Sequence, residues 1–293
     1  MNDVLVIVIL VFLGVTLGSF AGAMVWRIRS RQLVLDKEAG EDVNAKELSR
    51  LKKLTKRPLL KDRSVCLNCS YELKWYDLVP VVSWLSLGGK CRSCRQPIGR
   101  FEIIIELGLA AFFVASFLLW PQPLGTGLEI ASFIIWLSAG VVMAIMFAYD
   151  AKWFLLPDIT SVLLALLGAV IVILSAIGSG DVASVLISAS LSVAIMGGLY
   201  LAIYLFSRGA WVGFGDVKLG VGLGLILGQW QLAVVALFLA NLAGVLFILP
   251  GLLSGKIKRS DHVPFGPFLI IGTILSMFIG WDIINWYMGF LVF

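Results

Sequence analysis

Eight apolar runs, at 4–26, 102–120, 128–149, 157–177, 182–206, 217–229, 231–253 and 265–290, constrain this chain more than any other feature. A helix needs about 20 consecutive apolar residues to cross a bilayer. In lipid, only helices and closed barrels satisfy all their backbone hydrogen bonds, and runs of this length specify helices. The expected fold class is an all-α polytopic membrane protein with about eight transmembrane helices. The sixth run is short and ends at Gly228-Gln229-Trp230-Gln231, as half of a re-entrant or tilted pair would. With 60% hydrophobic and 14% charged residues among 293, a soluble domain is excluded.

No basic region precedes the first run and no small-residue cleavage site follows it, so it reads as a span and not as a signal peptide. Arg27, Arg29 and Arg31 come after it instead. With residues 27–101 inside the cell, all 23 Lys and Arg fall on the cytosolic side, while Asp3, Glu129, Asp181 and Asp282 occupy outer loops. That distribution follows the positive-inside rule and places both termini outward. Trp120, Trp230, Trp281 and Trp286 then lie near outer ends, as an aromatic belt requires. The net charge of +5 thus reports topology. Membrane lipid is an expected partner and nucleic acid is not. The expected domains are a first transmembrane helix (1–26), a cytosolic module with a four-cysteine zinc site (27–101) and a membrane-embedded core (102–293).

Within the module, residues 36–58 are rich in Lys, Glu, Leu and Ala and predict a solvated helix ending at Pro58. The second half holds every cysteine: Cys66-Leu67-Asn68-Cys69 and Cys91-Arg92-Ser93-Cys94, with 21 residues between the pairs. Two such knuckles can present four thiolates to one tetrahedral zinc ion. Two disulfides, or redox-active thiols, are the competing readings. A cytosolic, reducing location opposes disulfides, and no thioredoxin-like βαβ pattern surrounds either pair. A four-thiolate site leaves no open coordination position, so the zinc would be structural. The stretch from Leu73 to Leu85 is too interrupted to span a membrane; its Trp75, Tyr76 and Trp84 predict core packing, with a bilayer or substrate contact as the alternative.

Two carboxylates stand at ends of apolar runs on the same inferred side: Asp150 in Ala148-Tyr-Asp-Ala-Lys152 and Asp216 in Gly213-Phe-Gly-Asp-Val-Lys-Leu219. An ionisable residue at a membrane boundary is a functional-site hypothesis by default. Two carboxyl groups that share a proton can activate water and polarise a peptide carbonyl. Gly213 and Gly215 would let the chain turn sharply and leave room for an extended substrate. The alternative has each aspartate capping a helix or pairing with Lys152 or Lys218 in an ordinary turn. Asp158, just after Pro157, predicts an N-capping or first-turn role. Gly220, Gly224 and Gly228 recur every fourth residue and predict a seam for close helix packing. His262, beside Asp261, reads as a surface residue.

The ordered set of Leu17-Gly-Ser-Phe20 with Arg27, the two CxxC pairs flanking Trp75-Tyr-Asp77 and Ser83-Trp-Leu85, Gly89-Lys-Cys91, Asp150 with Leu155-Leu-Pro-Asp158, Gly213–Leu219 and Val263-Pro-Phe-Gly-Pro267 resembles the type IV prepilin peptidases, membrane aspartic proteases of the GxGD class. The resemblance implies Asp150 and Asp216 as the catalytic pair, with Asp158 in support; the reading of the residues adds Gly213, Gly215 and Lys218 as supporting candidates. It implies cleavage of the basic leader of type IV prepilins or pseudopilins after a glycine, at the cytosolic face of the bacterial inner membrane. It also implies methylation of the new N-terminus with S-adenosylmethionine as donor. No soluble GxGxxG loop marks a site for that cofactor. Lys218, two residues from Asp216, would either pair with a glutamate near the start of the substrate helix or snorkel to anchor its own helix end.

Overall fold

The structure, a computed structural model, describes residues 3–55, 63–256 and 263–290. Among these it is all-helical apart from two isolated β-bridges, Val65 with Glu72 and Lys90 with Pro97. The chain divides after Val114 into two compact units. Among the described residues, seven helical segments are long and apolar enough to cross a membrane.

Unit 1 is built on α1 (Asp3–Glu38), a helix of 36 residues. Its Gly14 and Gly18 face the first half of α4 (Phe101–Leu118) backbone to backbone: a Cβ on either would lie 2.5 Å from Ala110 Cα or Glu106 Cα. Beyond its apolar part, α1 continues as a stalk. Leu33 packs with Leu51 and Leu54 of α2 (Ala45–Leu51) and the 3-10 turn after it, and Arg29 forms a 2.9 Å ion pair with Glu47. The expected helix over 36–58 is broken. Gly40 takes φ +82 and Asn44 starts a new helix, its side chain accepting the N–H groups of Lys46 and Glu47 at 3.1 Å each. An Asn that satisfies two otherwise orphaned donors outcompetes helix continuation there. Pro58 lies outside the described residues, as do Asp261 and His262. A short α3 (Val82–Ser86) lies between the two cysteine knuckles.

Unit 2 comprises α5 (Gly127–Trp153), α6 (Asp158–Ser179), α7 (Val182–Val193) joined by a π turn to α8 (Leu199–Ser207), then α9 (Phe214–Leu227), α10 (Trp230–Leu253) and α11 (Gly266–Gly289). The sixth apolar run is α9. Its 14 residues make about 21 Å of helix, short of the roughly 30 Å hydrocarbon core. It is therefore not one of the seven long segments; it lies against α6, α7, α8, α10 and α11 as a central strut. Gly228 ends it at φ +63.

The glycine repeat thus divides in role. Gly220 and Gly224 make the seam, and Gly228 makes the stop. A Cβ at Gly220 would sit 2.5 Å from the Met196 carbonyl oxygen, and one at Gly224 would sit 2.8 Å from Val193 Cα. The π turn (Ala194–Gly198) lies on the other side of this seam, where a Cβ at Gly197 would sit 2.7 Å from Val221 Cγ2 and 3.1 Å from Val221 N. Buried Ser192 Oγ donates to Gly224 O at 2.7 Å, which ties the two backbones together.

Backbone cannot step aside for a methyl group. Gly220→Ala should therefore cost about 1–3 kcal/mol, whereas Gly178→Ala, with only Leu128 Cδ1 at 4.0 Å, should be neutral or stabilise by about 0.5–1 kcal/mol. Thermal unfolding in detergent separates them. Equal melting temperatures for the two variants would contradict the backbone-to-backbone seam.

Candidate active site and metal centre

Asp150 lies in the last turn of α5. That helix stops because Phe154 turns left-handed at φ +57 and Pro157 bars further α-helix before α6. The Asp150 side chain is 5% exposed. Its Oδ2 accepts the backbone N–H of Gly266 at 3.0 Å, the first residue of α11. A carboxylate at a helix N-terminus receives both a free donor and the favourable end of the helix dipole. The approach demands glycine, since a Cβ at 266 would lie 2.7 Å from Oδ2. Pro267 follows in the first turn of α11, at a position where its missing N–H costs nothing.

Asp216 occupies the first turn of α9, where its N–H bonds to Gly213 O at 3.1 Å. The two carboxyl groups, 66 positions apart in the chain, lie within Coulombic reach of one another. Tyr200 of α8, 4% exposed, is within the same field and stacks at 5.6 Å on Phe265. Sequence reasoning missed both Tyr200 and Gly266. A tyrosine in an apolar run reads as core, and only the Val263–Pro267 stretch hinted at a glycine with a special neighbour.

Neither glycine before Asp216 makes the expected sharp turn. Gly213 has φ −75, and Gly215 is not among the left-handed residues. Space is the reason for Gly215 instead: a Cβ there would meet Leu156 Cβ at 3.1 Å, so the start of α9 rests on the α5–α6 loop. Lys218 does not pair with Asp216. Its Nζ lies 2.6 Å from Asp158 Oδ1, on the first residue of α6, and 5.1 Å over the Phe214 ring. Asp158 thus stands in a helix first turn and links α6 to α9. A substrate glutamate would have to compete with it for Lys218.

In unit 1 the two knuckles repeat one geometry. The Cys66 N–H bonds to Tyr71 O and the Ser70 N–H to Cys66 O; the Cys91 N–H bonds to Gln96 O and the Arg95 N–H to Cys91 O, all at 2.8–3.0 Å. Ser70 and Arg95, fourth after each leading cysteine, are both left-handed, at φ 63 and 58. The four Sγ atoms lie within 4.8 Å of one another, with Cys66–Cys94 and Cys69–Cys91 at 3.9 Å. Four sulfurs about 2.3 Å from a tetrahedral ion stand roughly 3.8 Å apart. The four-cysteine cluster therefore fits a tetrahedral metal ion and no disulfide is present among these residues. Burial pushes the Cys66 thiol up to about 11, and the backbone N–H of Tyr71 holds Cys69 down at about 7. A bound cation would draw both into the thiolate form.

Between the knuckles, the aromatic residues do not all become core. Trp75 is 78% exposed, with Val82 and Leu85 each at 62%. The 3-10 turn at Trp75–Asp77 turns that ring outward, while Asp77 is clamped by Arg92 at 2.7 Å and Arg92 covers the Tyr76 ring at 4.9 Å. Trp84 stays inside. Its Nε1 donates to Gly99 O at 2.7 Å, and its ring fills the space beside Gly89.

Comparison with known proteins divides the chain in two. Residues 12–120 match the Bacterial Peptidase A24 N-terminal domain, and residues 137–249 match the Type IV leader peptidase family. The chain is 31% identical to a prepilin leader peptidase/N-methyltransferase of Aeromonas hydrophila, over 78% of this chain and 76% of that protein. Against the protein of the same name from Bacillus subtilis (strain 168) it is 29% identical over 78% and 86%, and against that of Pseudomonas aeruginosa 26% over 96% and 92%. No solved structure matches the chain.

The cysteine geometry makes a direct prediction. Elemental analysis of purified protein should find one divalent metal ion per chain, absent from the Cys91→Ser variant, with residues 63–100 of that variant becoming protease-sensitive. Full metal content in the variant would assign the ion elsewhere.

Proposed function

The chain belongs to the prepilin leader peptidase/N-methyltransferase family, a family of multi-pass inner-membrane peptidases that process type IV prepilins, and from that premise we propose that Asp150 and Asp216 are its catalytic pair. The observation that carries the proposal is the seating of Asp150 on the Gly266 N–H, within the field of Asp216. The Gly266 bond occupies Oδ2 and leaves Oδ1 of Asp150 for proton exchange.

In this reading the pair holds one proton between its two carboxyl groups. The protonated member donates a hydrogen bond to the scissile carbonyl oxygen. The ionised member takes a proton from water as the water oxygen attacks the carbonyl carbon. The tetrahedral intermediate then collapses with its C–N bond broken, and a proton passes from the pair to the departing amine. Buried surroundings around Asp150 strengthen each of these interactions. Asp158 and Lys218 support the pair by fixing the start of α9 against α6. Gly215 lets the start of α9 rest on Leu156, and Gly213 leaves the Asp216 carboxylate uncrowded.

The substrate is a prepilin or pseudopilin with a short basic leader, cut after a glycine at the cytosolic face. The concentration of Lys and Arg in the inferred inner loops supports that side, and with it a cysteine module inside and both termini outside. Cys66, Cys69, Cys91 and Cys94 would hold zinc. Four thiolates close its shell, so it organises the module and takes no part in hydrolysis. The second activity is N-methylation of the new N-terminus; S-adenosylmethionine supplies for it an electrophilic methyl group on a sulfonium.

Incubation of the full-length protein with a prepilin peptide, followed by mass measurement, tests both activities. Asp150→Asn and Asp216→Asn should each reduce cleavage on the order of a thousandfold or more. Asp158→Asn removes only a partly exposed ion pair and should cost less than about tenfold. Gly266→Ala keeps both carboxylates, yet it should impair cleavage by displacing Asp150. Efficient cleavage by a folded Asp150→Asn or Asp216→Asn protein would remove that residue from the pair.

A further inference from the structure

The strap that joins the two cysteine knuckles, Leu73 to Leu85, leaves apolar side chains exposed at intervals of three or four residues: Trp75, Leu78, Val79, Val82 and Leu85. Clustered exposed apolar groups mark a surface made for a partner or a membrane. Depth decides between the two, and one hydrogen bond fixes the depth. The Val81 N–H donates to Glu106 Oε2 at 2.8 Å, and Glu106 is 6% exposed. Val81 takes φ +59 at this contact, a conformation that a β-branched residue adopts only where its surroundings impose it.

Glu106 stands well inside α4. That helix has 18 residues, about 27 Å, and needs its whole length to cross a hydrocarbon core of about 30 Å. Arg100 just precedes it, and Glu106 lies six residues further along, about 9 Å deeper. α1 agrees. A Cβ at Gly18 would lie 2.5 Å from Glu106 Cα, and Gly18 is nine residues, about 13 Å, before Arg27, where the charges of α1 resume. A helical side chain leans back toward the N-terminus by at most about one turn, so Val81 is held about 4 Å or more beneath the level of Arg100. Val79 and Val82 are within two residues of it, and α3 carries Leu85. At the other end of the strap Trp75 meets the Tyr76 ring at 5.6 Å, and Lys74 Nζ lies 5.9 Å over that ring. Exposed aliphatic groups beside a tryptophan and a lysine make up a segment suited to the boundary between headgroups and acyl chains, a layer about 5–10 Å deep.

We propose that the strap is inserted into the lipid leaflet beside α1 and α4, with Trp75, Val82 and Leu85 among the acyl chains and Lys74 reaching back to headgroup phosphates. The inference needs only that α1 and α4 cross the bilayer; it is independent of the catalytic assignment and of which side the module faces. The partner is phospholipid. The cysteine cluster is then tethered to the membrane twice, through α1 and through its own strap.

Photo-crosslinking of the full-length, metal-loaded protein in phospholipid nanodiscs tests this. Val82, Leu85 and, as a control, Glu41, an exposed residue past the end of α1, are replaced one at a time by p-benzoylphenylalanine. Mass spectrometry after illumination should find phospholipid adducts at 82 and 85 in about tenfold or greater excess over those at 41. Lipid adducts no more abundant at 82 and 85 than at 41 overturn the proposal. So do adducts formed mainly with a second copy of the chain, or with a prepilin peptide when one is added, because either makes the strap a protein interface. A second measurement needs no unnatural residue. Trp75→Phe should not lower the fraction of tryptophan emission that aqueous iodide quenches in the same nanodiscs. A fall in that fraction places the Trp75 ring in water and overturns the proposal as well. Metal content confirms that each variant is folded.

Discussion

The hydrogen bond from Gly266 N–H to Asp150 Oδ2 organises unit 2 more than any other single contact. It joins the end of one long helix to the start of another, 116 residues away, inside an apolar bundle where neither group has water as an alternative. Once α5 and α11 are pinned there, the space beside them accepts only a slim helix. α9 meets that requirement with glycines at 220 and 224, which bring its backbone directly onto α7 and the π turn. Asp216, in the first turn of α9, then comes within Coulombic reach of Asp150.

Much of this was legible in the sequence where chemistry stands out from its surroundings. Aspartates beside apolar runs, and cysteines confined to one polar segment, announce themselves by contrast. Helical class followed from run length alone. What was not legible depended on contacts distant in sequence. No local pattern relates Gly266 to Asp150, and nothing in Lys218's neighbourhood points to Asp158 rather than to a substrate. Burial was misjudged where a side chain could face either way: Trp75 has a core residue's chemistry but sits on a 3-10 turn that turns it out. The break at Gly40–Asn44 was missed because Lys, Glu and Leu on both sides carry strong helix propensity that a single cap overrules.

The two CxxC knuckles show how much a short segment can determine when its geometry repeats. Each is closed by the same pair of backbone hydrogen bonds, and each places a non-glycine residue in the left-handed region at the same offset. Such residues cost of order 1–2 kcal/mol without compensation. Four metal–sulfur bonds would supply it, so the metal and the strained turns belong to one equilibrium. Asp77, Arg92 and Trp84 then hold the strap between the knuckles in a single arrangement.

The unbroken length of α1 has a mechanical consequence. After Gly22 it holds neither glycine nor proline up to Glu38, and the same helix that crosses the bilayer carries α2 and the knuckle-bearing segment on its far end. Twelve residues beyond Trp26 make a lever about 18 Å long. Transmembrane helices change tilt with bilayer thickness, and a tilt of roughly 10° would swing the tip of this lever by about 3 Å. That displacement is comparable to a hydrogen bond's length. The composition and thickness of the surrounding lipid can therefore set where the cysteine module stands above the membrane surface, with α1 as the pointer.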